Sequence, residues 1–284
     1  MAGGRILITG ASTGIGHACA IRFAEMGYQV FAGVRKLADG EALAAHPSGN
    51  IRPVSLDVTS AGSIAGALST IGAEALGGLV NNAGIAMMGP LELVSVDDWR
   101  RQFEVNVIGL VAVTQACLPH LRLGRGRIVN VGSIADRTAL PGSGPYDSSK
   151  SAVKAITDAL RMELRPCGIS VSLIEAGAIA TQIWEKSLRE LDELSRRAGP
   201  ERLAPYRGLM KTVREETERG AATASPASAV VEAVVHAMTA RRPRTRYLVG
   251  RDARLWLWLS RLPDRWRDRL ILSKIRDDAT GGTR

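Results

Sequence analysis

The sequence predicts a single α/β domain, a doubly wound parallel sheet with helices on both faces. Two observations carry the prediction. Short β-branched runs, apolar throughout, alternate with longer helical patterns, which is how strands covered on both faces read. No linker and no internal repeat interrupts that alternation, and 284 residues suit one large domain. Apolar residues make up 45% of the chain and charged ones 23%, at a mean hydropathy near zero, a balance that excludes a disordered chain.

In chain order, "RILITG" (5–10) reads as the first strand and 14–26 as the first helix. "QVFAGV" (29–34), "IRPVSLDV" (51–58), "GLVNNAG" (78–84), "RIVNVGS" (127–133) and "ISVSLIEAG" (169–177) follow as strands. Helical patterns fill 60–75, 95–121 and 146–167, and "PASAVVEAVVHAMTA" (226–240) adds another. Residues 179–225 break the rhythm: Trp184, Leu188 and Leu191 recur at helical spacing, punctuated by Pro200 and Pro205. A long helical insertion past a strand's carboxyl end is expected to form a lid, the alternative being a helical pair that pads the surface. The expected domain runs over 1–250, lid included, with a basic extension at 251–284.

"TGASTGIG" (9–16) joins the first strand to the first helix. Gly10 permits a tight turn, Gly14 lets the backbone approach a pyrophosphate, and Gly16 allows close helix packing. The helix N-terminus adds N–H donors and a positive dipole end. The spacing is G-x-x-x-G-x-G rather than G-x-G-x-x-G. About 20 residues on, where an NAD site places a carboxylate, Val34 is followed by Arg35 and Lys36. A guanidinium can take a ribose 2′-phosphate as a bidentate ligand, so NADP(H) is expected, with NAD(H) as the alternative.

"PYDSSKSAVKAITDAL" (145–160) opens a helix with Tyr146 and Lys150 four residues apart, hence on one face. Together with "LDVT" (56–59), "NNAG" (81–84), Asn106 in "FEVNVIG", Ser133 in "IVNVGS" and "AGAIAT" (176–181), these motifs resemble the short-chain dehydrogenase/reductase family. Order and spacing agree from residue 5 to about 181. The resemblance implies a Rossmann fold, with Asn106, Ser133, Tyr146 and Lys150 as a catalytic tetrad. Ser133 and Tyr146 would meet the substrate. It further implies that Gly10, Ser12, Thr13, Gly14, Ile15, Gly16, Tyr146 and Lys150 contact the cofactor, with Arg35 at the 2′-phosphate. Asp57 and Val58 would border the adenine, Asn82, Ala83 and Gly84 the adenosine ribose, and Ile179 and Thr181 the nicotinamide. Asn106 would hold a water linking Lys150 to solvent. One departure is Ala176-Gly177, where the family has Pro-Gly. Alanine restores an N–H and frees φ, so looser nicotinamide seating is expected.

The tetrad has a physical rationale of its own. A free phenol titrates near pH 10, and lowering it by about 3 units takes roughly 4 kcal/mol of preferential phenolate stabilisation. The Lys150 ammonium and an oxidised nicotinamide are the expected sources. Tyr146 then exchanges a proton with the substrate oxygen as hydride moves, and Ser133 fixes that oxygen.

Met87, Met88, Leu140, Pro141, Trp184 and Met210 are expected beside the substrate, which favours a bulky lipophilic alcohol or ketone. "VFAGVRKLADGEAL" and the tail "RYLVGRDARLWLWLSRLPDRWRDRLI" are similar to the branch holding retinol, hydroxysteroid and 3-hydroxybutyrate dehydrogenases, which implies retinoid or steroid-like substrates. An NAD(H)-dependent 3-hydroxyacyl or hydroxybutyrate-type dehydrogenase and a non-catalytic NADP(H)-binding redox sensor stand as alternatives.

Residues 1–240 carry 24 basic and 23 acidic residues, whereas 241–284 carry 13 and 5, so the basicity sits in the tail. Leu255, Leu259, Leu262, Trp266 and Leu270 form a stripe among Arg254, Arg261, Arg265 and Arg269, with Pro263 expected to kink or divide the helix. Such a helix lies on an anionic membrane surface or packs on the domain or a second subunit; both readings are open. No nucleic-acid motif accompanies the charge, so no nucleic-acid partner is expected. Cys19, Cys117 and Cys167 read as buried free thiols, and no metal site is expected. "MAGGRILITG" leaves no room for a signal peptide and no stretch reads as a membrane span, so a cytoplasmic homodimer or homotetramer is expected.

Overall fold

A computed structural model describes residues 4–273 and residue 275. Seven parallel strands form one sheet in the order β3-β2-β1-β4-β5-β6-β7. They are β1 (Arg5–Thr9), β2 (Gln29–Val34), β3 (Ile51–Ser55), β4 (Gly78–Asn81), β5 (Arg127–Val131), β6 (Ser170–Ala176) and β7 (Arg246–Val249). Six of them occupy the runs expected from sequence. The seventh, "RYLV", is a four-residue edge strand too short and too polar to stand out.

The helices of the body are α1 (Gly14–Glu25), α2 (Glu41–Ala44), α3 (Ala61–Ile71), α4 (Val96–Phe103), α5 (Gly109–Gly124), α6 (Gly144–Glu163), α7 (Ile183–Leu203), α8 (Arg207–Thr223) and α9 (Ala227–Thr239). Two short helices, α10 (Ala253–Leu259) and α11 (Asp264–Leu272), complete the tail. Alternate strand residues face opposite layers. Ile6 and Ile8 pack with Cys19 and Phe23 of α1 and Val230 and Val234 of α9. Leu7, Leu79 and Ile128 pack with Ile64 of α3 and Val113, Cys117 and Leu121 of α5. Burying both faces explains why the strands read as unbroken apolar runs.

Two expectations need correction. Cys19 and Cys117 are buried but Cys167, in a turn after α6, is exposed. The helical run Val96–Gly124 is also long and apolar enough to cross a membrane by length and composition. Its apolar face nevertheless lies on the sheet through Val113, Cys117 and Leu121.

Residues 179–225 form a helical pair whose core, Leu191 and Leu194 of α7 against Val213 of α8, is shared with Leu93 and Val94 of the body. Gly199, with φ +74°, breaks α7 just before Pro200. Gly220 lets α8 close on Trp184, because a Cβ there would lie 2.9 Å from the indole. The pair covers the carboxyl edge of the sheet, where the expected lid belongs.

Candidate active site

Strand order reverses between β1 and β4, and a crevice opens at such a switch point beyond the strand ends. The glycine loop sits there. Gly10 and Gly14 adopt φ of +65° and +60°, which side chains resist. A Cβ at Gly16 would lie 2.4 Å from the Gly10 carbonyl and 2.5 Å from Asn82 Nδ2, so Gly16 serves close packing rather than contact with the crevice. The β4 end braces the loop. Asn82 Nδ2 donates to the Thr9 and Gly10 carbonyls at 3.0 Å each, and Thr9 Oγ1 accepts from the N–H groups of Asn82 and Ala83. Thr13 caps α1 in extended conformation without using its side chain on the helix. The loop is thus shaped for a phosphate-bearing ligand, with first-turn donors that the helix itself leaves unpaired.

One cavity of about 1490 Å³ runs from this loop to the lid and tail. Of the cofactor residues expected from sequence, all but Gly16 line it. Arg35 is exposed at the end of β2, and no carboxylate stands beside it on that strand. Asp57 accepts from the Thr59 N–H at 2.9 Å and the Thr59 hydroxyl at 2.7 Å. Those bonds, with help from the Arg35 charge, hold its carboxyl below the usual range. The residues present therefore fit a dinucleotide with a further anionic group near Arg35.

Midway along the cavity, α6 presents Tyr146 and Lys150 on one face, the ammonium 5.6 Å from the phenol ring centroid. Lys150 Nζ donates to the Val131 carbonyl at 3.0 Å, and burial brings its pKa down to about 8 against the pull of Asp136. Burial pushes the Tyr146 phenol up to about 12, opposed by the Ser133 hydroxyl and reinforced by Asp147 and Asp136. The phenol that the sequence leads one to expect lowered is instead raised, because desolvation outweighs the Ser133 hydrogen bond. Ser133 Oγ donates to the Ala176 carbonyl at 3.3 Å and accepts from Ala135 N–H at 3.2 Å, which fixes it at the end of β5.

Asn106 lies behind this wall, outside the cavity lining, on a single π turn (Glu104–Ile108) inserted between α4 and α5. Its Oδ1 accepts from Ile85 N–H at 2.9 Å, and its Nδ2 reaches the Ile85 carbonyl and Ser149 Oγ at 3.0 Å each. Such one-turn insertions cluster at functional sites. Sequence periodicity gives no sign of this one.

Met88, Leu140, Pro141 and Trp184 line the outer cavity as expected, but Met87 and Met210 do not. Met87 is fully buried under Arg101, and Met210 packs in the lid core. The tail supplies wall that the sequence left open: Leu255, Trp256, Trp258 and Leu259 of α10 and Leu270 and Ile271 of α11. Pro263 divides the two helices, as expected.

The segment that follows Ala176 is held by hydrogen bonds from elsewhere in the fold. Gly177 N–H donates to the Val249 carbonyl at 2.7 Å, Ala178 N–H to Asp252, and Ala180 N–H to the Ser225 carbonyl at 2.9 Å. Three carboxylates escaped the sequence reading as site residues: Asp136, Asp147 and Asp252. Each looks like an ordinary turn or helix-start residue, and only folding shows what surrounds it.

A switch-point crevice shaped in this way defines a dinucleotide-type α/β protein, and comparison with known proteins narrows the class. The short chain dehydrogenase family model matches residues 5–192. The chain belongs to that family and is an oxidoreductase. It is 36% identical to 17-beta-hydroxysteroid dehydrogenase type 6 of Rattus norvegicus, over 96% of this chain and 89% of the relative. It is 34% identical to retinol dehydrogenase 5 of Mus musculus, over 94% and 87%. A solved short chain dehydrogenase from Burkholderia cenocepacia in complex with NADP superposes with a TM-score of 0.71, at 26% identity over 96% of this chain and 98% of that one.

Proposed function

We propose that this protein transfers hydride between NADP(H) and a lipophilic secondary alcohol or ketone, or a retinoid-like alcohol or aldehyde. The observation that carries the reading is the continuity of one cavity. The glycine loop and Arg35 lie at one end, Ser133, Tyr146 and Lys150 midway, and a largely apolar wall at the other. The relatives named for retinol and hydroxysteroid support the substrate class. Arg35, with no competing β2 carboxylate, supports NADP(H) over NAD(H). A cytoplasmic homodimer or homotetramer is part of the proposal. So is peripheral membrane contact through Trp266 and its basic neighbours.

A nicotinamide held at this site would supply or accept the hydride; the chain's own residues would handle everything else. The Ser133 hydroxyl, held by Ala135 N–H, orients the substrate oxygen. Tyr146 keeps its proton at neutral pH because burial raises the phenol, and it donates that proton to the carbonyl oxygen during reduction. Lys150, its pKa brought down to about 8, supplies the cationic charge that eases phenolate formation. Asn106 anchors Ile85 and Ser149 and so sets the wall behind the helix.

The test is nicotinamide absorbance with steroids, retinoids and medium-chain ketones, using each cofactor. We expect NADPH-dependent turnover, and a fall of about 10²–10⁴-fold in Tyr146→Phe with cofactor affinity little changed. Near-normal turnover by that variant would sink the assignment.

A further inference from the structure

Asp252 stands at the head of α10, where an aspartate ordinarily turns its carboxylate back onto first-turn N–H groups. Here it does not. The helix start uses only the Asp252 carbonyl, which accepts from Leu255 N–H at 3.0 Å and Trp256 N–H at 3.2 Å, and the side chain makes no cap bond. Both carboxylate oxygens instead accept from Ala178 N–H, at 3.2 and 3.1 Å, from the far side of β7. The approach depends on two glycines. A Cβ on Gly177 would lie 2.1 Å from Asp252 Oδ1, and one on Gly250 3.0 Å from it.

The carboxylate completes a three-point suspension of the segment after β6. Gly177 hangs from Val249 of β7, Ala180 from Ser225 before α9, and Ala178 from the tail. The next residues, Ile179 and Thr181, line the cavity, as do Trp256 and Leu259 on the helix that Asp252 heads. One side chain thus ties the floor of the cofactor end to the outer wall of the substrate end.

We infer that Asp252 is a positioning residue that holds Gly177–Thr181 in the shape that receives the nicotinamide half of the cofactor. The inference rests on the proposed function. It gives the tail a part in cofactor binding that is independent of any membrane contact. A charged acceptor withdrawn from its own helix cap gives up a local bond worth having, and what it gains in exchange is a fixed Ala178 N–H.

The experiment compares two ligands by calorimetry: NADPH, and 2′-phospho-ADP-ribose, which lacks the nicotinamide. Wild type, Asp252→Ala and Asp252→Asn are titrated with each. In the alanine variant NADPH should bind about tenfold more weakly while the fragment binds within about twofold of wild type. Asparagine, which keeps one acceptor, should lie between, about threefold weaker for NADPH, and it carries the test alone if the alanine variant does not fold. Equal loss for both ligands would mean general damage and overturn the inference, as would unchanged NADPH affinity. If wild type binds neither ligand, the proposed function falls and the inference with it.

Discussion

Asp147 offers a quantitative test of the electrostatics around Tyr146. It is 3% exposed, and its Oδ2 accepts from Leu140 N–H at 2.8 Å and from the Ser143 hydroxyl. Burial outweighs those bonds and raises its pKa from 3.8 to about 7. The folded protein therefore binds this proton more tightly than the unfolded chain does. Its stabilising contribution is complete below pH 3.8 and is lost as pH rises through about 7. The full shift corresponds to about 4 kcal/mol at most, of which about 2–3 kcal/mol falls between pH 5 and pH 8. Asp147→Asn keeps an acceptor for Leu140 and Ser143 but does not titrate. Urea unfolding of both proteins at pH 5, 6, 7 and 8 should show the variant gaining on wild type by roughly 2 kcal/mol across that range. The Asp147 charge also raises the Tyr146 phenol, so the variant's basic limb in kcat/KM should move to lower pH. A stability difference that stays constant to within about 0.5 kcal/mol from pH 5 to pH 8 refutes the reasoning.

Further outcomes are expected at other positions. Arg35→Ala should weaken NADP(H) binding about ten- to a hundredfold and leave NAD(H) nearly unchanged; equal losses would make Arg35 structural. Both carboxylate oxygens of Asp136 are buried without hydrogen-bond partners among the described residues, and its charge raises both Tyr146 and Lys150. Asp136→Asn should therefore shift the basic side of the pH–rate profile to lower pH, and an unmoved profile counts against the coupling. Vesicles containing anionic lipid should bind the intact protein, less so as salt rises, with about 1 kcal/mol per basic residue near the surface. Deleting 253–284 should abolish this but also opens the cavity, so Trp266→Ala with Arg265→Gln is the cleaner probe; full vesicle binding by that double variant would refute the membrane contact.

How much was legible in the sequence follows from where each signal resides. Strands buried on both faces announce themselves as apolar runs, and a glycine loop announces itself because its turn tolerates few other residues. Helical spacing puts Tyr146 and Lys150 on one face, but their role was legible only through the resemblance that the other motifs carry. Burial of a single carboxylate has no such signature. Asp147 sits in the first turn of α6, where an acidic residue is favourable on dipole grounds. Nothing local says that Leu140 and Ser143 fold over it. The π turn at Asn106 shifts the helical phase by one residue for one turn, too little to disturb the apolar pattern of 95–121. β7 is legible only through its partners, since Arg246 pairs with Glu175 and Asp158 across the edge of the sheet.

The tail resolves an opposition that the sequence posed too simply. A continuous amphipathic helix would have to choose between packing on the domain and facing a membrane. Pro263 removes that constraint by ending one helix and starting another, so the apolar residues can divide between two directions. Ala253 and Leu259 are buried against the domain and Trp256 faces the cavity. Trp266 is 66% exposed and takes no part in the cavity lining, and Leu272 is 55% exposed. Leu255, Trp258 and Leu270 do both, lining the cavity while remaining about half exposed, which places them at its rim. A lipophilic substrate leaving an apolar phase would meet these rim residues first. Packing and the proposed surface contact therefore fall to different residues of the same tail, and substitutions at Trp266 and at Leu259 should separate them: the first should change vesicle binding alone, the second stability and turnover.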